Sequence, residues 1–198
     1  PQSIVTSDEE LTSNQPNNPV AGWNIIWVPY CDGSIHMGDN NADYDSDGET
    51  DHWHLGLKST SAAVTLLEEL FSCPNKILIT GCSAGGYGTF IATMLIRLTC
   101  PNAKLYVFND SGPGLFDPEK PDTWQLIKDT WKIEQLLPDD CPECHDQLIY
   151  LYKWMLTRDD NLNIGIFSYY QDEVIGGHYL GMTPIDFESL LLAESEVI

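Results

Sequence analysis

Apolar positions along this chain follow two rhythms: short dense runs that read as strands, and longer runs with a helical repeat between them. A polar stretch from Pro1 to Val20 leads into Trp23 to Tyr30, which predicts a buried strand. A loop rich in Gly, Asp and His follows, from Cys31 to about Leu57. Ala63, Leu66, Leu67, Leu70 and Phe71 then repeat at helical spacing, with Glu68 and Glu69 turned outward. Ser59 or Thr60 is placed to cap this helix and Pro74 to end it. Lys76 to Thr80 is short, apolar and β-branched, as a buried parallel strand should be. From Ala84, the residues Tyr87, Phe90, Ile91, Met94, Leu95 and Leu98 predict one apolar helix face. Leu105 to Asn109 is a third strand, and Asn163 to Tyr169 a fourth. A last helix begins near Pro184, with Phe187, Leu190 and Leu191 inward.

This alternation predicts an α/β fold: a mostly parallel sheet with helices on both faces and a helical insertion over about residues 118–160. Residues 1–198 are expected to form one domain, since 198 residues suffice for one substantial core. In such sheets the chemistry sits beyond the carboxyl ends of the strands. The loops there carry Cys31 to His36, Ser83, Asp110 to Gly114 and Asp172 to His178.

Charge narrows the partners. The chain holds 30 Asp and Glu against 9 Lys and Arg, a formal net charge of −21. With no basic patch to neutralise phosphates, nucleic acid and anionic membrane surfaces are excluded as partners. No apolar stretch is long enough to span a bilayer. The chain has 6 cysteines, an even number that fits disulfides in a secreted protein, although sequence does not fix their pairing. Cys82 reads as a buried free thiol or a bridge to a neighbouring loop.

Gly81-Cys82-Ser83-Ala84-Gly85-Gly86 lies between a predicted strand and a predicted helix. A strand turning sharply into a helix at a serine is a nucleophile elbow, with glycines at Gly81 and Gly85 permitting the tight turn. Such a turn exposes Ser83 Oγ and makes the Ala84 N–H one half of an oxyanion hole. A serine nucleophile needs a base and a carboxylate to orient that base. Asp172 is placed to be the acid, with Asp110 the alternative one strand earlier. Of the five histidines only His178 follows Asp172, by six residues, which is too short a loop to reach between Asp172 and Ser83. His178 therefore reads as a pocket-wall or surface residue.

Four blocks in order, Trp27 to Gly33, Gly81 to Gly86, Asn109 to Gly112 and Tyr170 to Glu173, resemble those of the pectin acetylesterase and Notum carboxylesterase family. The resemblance runs from about Gly22 to Glu173. It implies a secreted α/β-hydrolase that removes acyl groups from oxygen, acting on an acylated polysaccharide or another ester. By position it implies Ser83 as nucleophile, Asp172 as triad acid and the Ala84 N–H as oxyanion donor, with Asp32, Gly33, Ser34, Asp110, Ser111 and His178 around the pocket. The resemblance also implies a glycine-rich strand end before residue 1 and a catalytic histidine beyond residue 198. The chain thus reads as part of a longer hydrolase, and alone it is not expected to cleave esters efficiently. A competing reading is a non-catalytic structural or binding module that keeps the fold within an extracellular assembly.

Asp43-Tyr44-Asp45-Ser46-Asp47-Gly48-Glu49-Thr50-Asp51 has the D-x-D-x-D-G start of a calcium loop. Asp43, Asp45, Asp47, Glu49 and Asp51 are the expected oxygen ligands for a structural Ca²⁺. His54 stands where an EF-hand has Glu, so the loop is not a complete EF-hand. Cys141-Pro142-Glu143-Cys144-His145 matches the c-type haem attachment pattern, but a structural disulfide or plain thiols are the expectation. Asn109-Asp110-Ser111 is a glycosylation sequon at a buried strand end, so occupancy is not expected. Trp124, Trp131, Tyr150, Tyr152 and Trp154 are expected in the core before a sugar-binding wall.

Overall fold

A computed structural model describes residue 13 and residues 15–196. The polar lead-in expected over Pro1 to Val20 therefore lies largely outside the described residues. The strands are β1 (Asn40–Ala42), β2 (His52–His54), β3 (Lys76–Cys82), β4 (Lys104–Asp110) and β5 (Leu162–Phe167). The helices are α1 (Gly56–Phe71), α2 (Ala84–Thr99), α3 (Pro121–Trp131), α4 (Ile149–Leu156) and α5 (Pro184–Ser195). Two 3₁₀ turns, Glu134–Leu136 and Pro142–His145, and a π-helix, Glu173–Tyr179, complete the order.

β3, β4 and β5 form a parallel sheet in that order, with Cys82, Asp110 and Phe167 in register at its carboxyl end. The fold is α/β and α/β-hydrolase-like, with helices flanking a parallel sheet. Both crossovers move the same way across the sheet, and crossovers of one hand then leave their helices on one face. Ile77, Ile79, Leu105 and Val107 are buried on that face, against a core that includes Phe90 of α2 and Leu151 of α4. Phe90 stacks on Tyr152 at 4.0 Å, and Phe116 on Trp124 at 3.6 Å. Trp124 and Tyr152 are fully or almost fully buried, and Trp131, Tyr150 and Trp154 pack against the core, as expected for core aromatics. The opposite face presents Thr80, Cys82, Phe108, Gly165 and Phe167 to solvent. The second helix layer of the sequence pattern thus has no counterpart over these positions among the described residues.

Several expectations need correction. Trp23 to Tyr30 is not a buried strand: it joins no sheet among the described residues, and Trp27 is 65% exposed. A strand needs a neighbour for its N–H and C=O groups, and none lies beside this run among the described residues. α1 begins at Gly56, earlier than Ser59, and no side chain caps it. Its start is set by tertiary contact, since the Leu57 N–H donates to the Gly38 carbonyl at 3.0 Å. A Cβ at Gly56 would also meet the His36 backbone at 2.6 Å. Leu98, expected on the apolar face of α2, is exposed near its C-terminal end. Cys82 is exposed and free, because its strand position points to the uncovered face. The loop after Cys31 contains the antiparallel β1–β2 pair.

Two disulfides, Cys73–Cys100 and Cys141–Cys144, are formed, and Cys31 and Cys82 are free. The first ties the end of α1 to the end of α2. The second is buried at both residues and leaves no thiol for haem attachment.

Candidate active site

β3 enters the elbow with Gly81 packed directly on the next turn. A Cβ at Gly81 would stand 2.4 Å from the Gly85 carbonyl oxygen, so glycine is required there. At Gly85 a Cβ would meet nothing, so space does not demand the second glycine; it supplies the backbone surface on which Gly81 rests. Gly86 serves differently, since its Cβ would strike Asn109 Oδ1 at 2.6 Å and Gly112 Cα at 2.8 Å.

Ser83 at the apex has φ 56° and ψ −117°, a backbone conformation that non-glycine residues adopt at a cost of about 1–3 kcal/mol. Its N–H donates to the Asp110 carbonyl at 2.8 Å and its carbonyl accepts from the Tyr87 N–H at 3.1 Å. The strained residue is therefore held from both sides, by the end of β4 and by the first turn of α2. Ala84 follows as the first residue of α2, where N–H groups have no helical partner of their own.

Asn109 supports the same turn from below. Fully buried, its side-chain amide donates to the Gly86 carbonyl at 2.9 Å and to the Gly112 carbonyl at 2.8 Å. It also donates to Tyr152 Oη and Thr89 Oγ1, and its Oδ1 accepts from the Gly112 N–H. The sequon is thus inaccessible, as expected, and the asparagine is a fastener between α2 and the loop after β4. Sequence reading recognised the sequon but not this role; polar spacing alone does not reveal a buried network.

Two carboxylates bracket the elbow. Asp110 accepts from Ser111 Oγ at 2.8 Å, and the Ser111 N–H ties the loop to the Phe167 carbonyl at 2.7 Å. Asp172 is 9% exposed and caps the π-helix, its Oδ1 accepting from the Val174 and Ile175 N–H groups at 2.8 Å each. Both act on the residues beside the serine. Burial raises the Cys82 thiol above its ordinary pKa, and the charges of Asp110 and then Asp172 raise it further. Burial and Asp172 do the same to the Tyr87 phenol, whose hydroxyl donates to the Leu115 carbonyl at 3.1 Å. Cys82 therefore stays a thiol at neutral pH.

Among the described residues no imidazole hydrogen-bonds to Ser83 or Asp172. His178 is exposed on the π-helix, edge-on to Tyr179 at 5.1 Å. His145 bonds Glu134 at 2.7 Å. His36 is buried against Tyr30 and the backbone of Gly88, and burial lowers its pKa. His52 and His54 both bond the Asp32 carbonyl, at 2.8 and 3.1 Å.

Asp32 and Ser34 turn inward. Ser34 Oγ donates to the Asp32 carboxylate and accepts from the Gly38 N–H at 3.1 Å. Gly33, at φ 65°, allows the turn between them. The Asp32 carboxylate lies against the start of α1, where a Cβ on Gly56 would come within 2.7 Å of Oδ2. These residues brace the loop after the extended segment.

In the acidic loop, carboxylate oxygens of Asp43, Asp45 and Asp51 lie within 4.8 Å of one another, all exposed. Asp47 and Glu49 stand outside this group; Asp47 Oδ1 accepts from the Glu49 N–H at 2.8 Å. Gly48 turns the chain at φ 94°. Tyr44 Oη bonds His54 Nε2 at 2.6 Å, linking this loop through His54 to the Asp32 carbonyl. Three converging carboxylates are a hard-oxygen donor set of the kind Ca²⁺ takes.

A serine at a strained strand-to-helix turn on a parallel sheet, with Asp110 at the end of the next strand and Asp172 in the loop after the third, belongs to an α/β-hydrolase-like fold. The pectinacetylesterase family model matches residues 2–147, and the chain belongs to that family, which is one of acetyl-ester hydrolases. The match contains the elbow and Asp110 and stops before Asp172. No curated protein matches the chain. No helix among the described residues is long and apolar enough to cross a membrane.

Proposed function

We propose that the protein is a secreted serine carboxylesterase that removes O-acyl groups, acetyl first among them, from a polysaccharide. Ser83 Oγ attacks the ester carbonyl, and the alcohol leaves as an acyl-serine forms. Water then releases the acid and restores the serine. The Ala84 N–H stabilises the oxyanion. Asp172 orients the imidazole that takes the serine proton. The observation that carries this reading is the φ 56°, ψ −117° backbone of Ser83 above the Gly81–Gly85 contact, a strain that a plain glycine-rich turn has no use for.

The test is reaction of the native protein with a fluorophosphonate probe, followed by peptide mapping. Labelling at Ser83 is expected; an intact, folded protein that stays unlabelled favours the second reading, a binding module that keeps the fold. That second reading draws on one observation, the lack of an imidazole bonded to Ser83 or Asp172 among the described residues.

We further propose that Asp43, Asp45 and Asp51 form the centre of a structural Ca²⁺ site, with Asp47 and Glu49 at its margin. Extracellular calcium modules bind at about 10⁻⁴–10⁻³ M. At a concentration about ten times the Kd, binding stabilises by about 1.4 kcal/mol, which for a domain of this size is a Tm rise of about 3–6 °C. Thermal melts in 5 mM CaCl₂ and in EDTA should differ by that amount, and an Asp45→Asn variant should lose the difference. Identical melts would remove calcium from the account.

A further inference from the structure

The loop after β4 meets the first turn of α2 backbone to backbone. A Cβ on Gly112 would stand 2.5 Å from the Tyr87 nitrogen and 2.6 Å from Gly86 Cα, and one on Gly86 would stand 2.8 Å from Gly112 Cα. Two glycines face to face offer no side chains to interlock, and the polar groups around them set the distance instead.

That task falls to Asn109. Its side chain is fully buried, and its amide has two N–H groups to give. The nearest acceptors are the carbonyls of Gly112 at 2.8 Å and Gly86 at 2.9 Å, one on each side of the glycine contact. The Gly112 N–H donates back to Oδ1 at 3.0 Å. The hydroxyls of Tyr152 and Thr89 stand farther off, at 3.0 and 3.4 Å. They are engaged behind the contact: Thr89 Oγ1 donates to the Gly86 carbonyl at 2.6 Å, and Tyr152 Oη lies 2.5 Å from Thr89 Oγ1.

The two backbones that Asn109 joins are those that hold Ser83. On the helix side, Ala84 lies two residues before Gly86, and the Tyr87 N–H donates to the Ser83 carbonyl at 3.1 Å. On the sheet side, the residue after Asn109 takes the Ser83 N–H on its carbonyl at 2.8 Å. That residue is Asp110, whose carboxylate is tied to Ser111. The serine is thus suspended between two elements whose separation Asn109 sets.

Resting on the esterase reading above, we infer that Asn109 is a positioning residue for the reaction. By bonding the Gly86 and Gly112 carbonyls it holds Ser83 and the Ala84 N–H in place against the end of β4. It acts through the elbow and not on the substrate. A misplacement of about 1 Å costs about 10²-fold in rate. Losing neutral hydrogen bonds takes away only part of a domain's stability. Rate and stability therefore respond on different scales, and variants separate them.

The experiment compares Asn109→Ala with Tyr152→Phe on p-nitrophenyl acetate, at a temperature well below the Tm of each. Tyr152→Phe removes a hydroxyl from the back of the network and leaves both carbonyl bonds in place. It is expected to lower Tm by roughly 1–6 °C and to keep kcat within about twofold. Asn109→Ala is expected to lower kcat by about 10–100-fold with KM within about twofold, and to slow fluorophosphonate labelling of Ser83 by the same factor. Where the alanine variant does not fold, Asn109→Asp fills the same space and keeps an acceptor for the Gly112 N–H. In either protonation state it gives up at least one carbonyl bond, and a loss of at least about tenfold in kcat is expected. A folded Asn109 variant with kcat within about twofold of the parent overturns the inference and leaves the esterase standing. So does an equal loss of kcat in Tyr152→Phe, since the two carbonyl bonds would then have no special part. A native protein that neither turns over p-nitrophenyl acetate nor takes the probe overturns the esterase reading and this one with it.

Discussion

Ser83→Ala is expected to lower ester hydrolysis by about 10⁴-fold or more while leaving the fold intact, because triad members act as a unit and only binding and oxyanion stabilisation remain without the nucleophile. Initial rates on p-nitrophenyl acetate measure it. A variant retaining more than about a tenth of the activity would mean that another group attacks the ester. The neighbouring candidate is the Cys82 thiol, largely exposed but with its pKa raised by partial burial and by Asp110 and Asp172.

The same position offers a measurement that does not depend on activity. At φ 56° and ψ −117° alanine is as strained as serine, so Ser83→Ala should leave Tm close to that of the parent. Glycine adopts this backbone freely. Ser83→Gly should release about 1–3 kcal/mol of strain and return about 0.4–1 kcal/mol through the greater freedom of the unfolded chain. A net gain of up to about 2.6 kcal/mol remains, or up to roughly 10 °C in Tm. A stability gain bought by loss of the nucleophile is what a functional strain looks like. If Ser83→Gly melts below the parent, the backbone there is not under strain, and the observation that carries the esterase reading is lost.

Periodicity made the local elements of this fold legible. The β3–α2–β4 unit could be read within two residues because its strands are short β-branched runs and its helix has one apolar face, both consequences of burial against each other. Trp23 to Tyr30 misled for the same reason. Its composition is that of a buried strand, but a strand exists only where a neighbour pairs with it, and neighbours are not written in the run itself. The elbow was legible because Gly81 must be glycine and Ser83 must turn, constraints that leave a mark in the residues. The π-helix left almost none. Asp172 followed two residues later by Val174 looks like any loop, and only the structure reveals that its carboxylate gathers two N–H groups. Cys82 was misplaced through neglect of parity: it falls on the same face as Thr80, which the described helices do not cover.

Asp172 bears two loads, and two substitutions separate them. Its Oδ1 holds the π-helix through the Val174 and Ile175 N–H groups, and its charge is proposed to orient the catalytic imidazole. Asp172→Asn keeps an oxygen that accepts both N–H bonds and removes only the charge. It should melt within about 1 kcal/mol of the parent, since a neutral acceptor replaces an ionised one. Its kcat should nevertheless fall by about 10⁴-fold, because an imidazole without its carboxylate takes the wrong tautomer. Asp172→Ala removes the acceptor as well, and a lost cap of this kind adds a stability cost of about 0.5–2 kcal/mol. The pair is measured by kcat and Tm on the same preparations. If Asp172→Asn retains full activity, the orienting carboxylate is Asp110, whose Oδ1 already accepts from Ser111 one strand nearer the serine, and Asp172 is reduced to a helix cap. Asp110→Asn would then carry the 10⁴-fold loss in its place, which makes the two carboxylates distinguishable by rate alone.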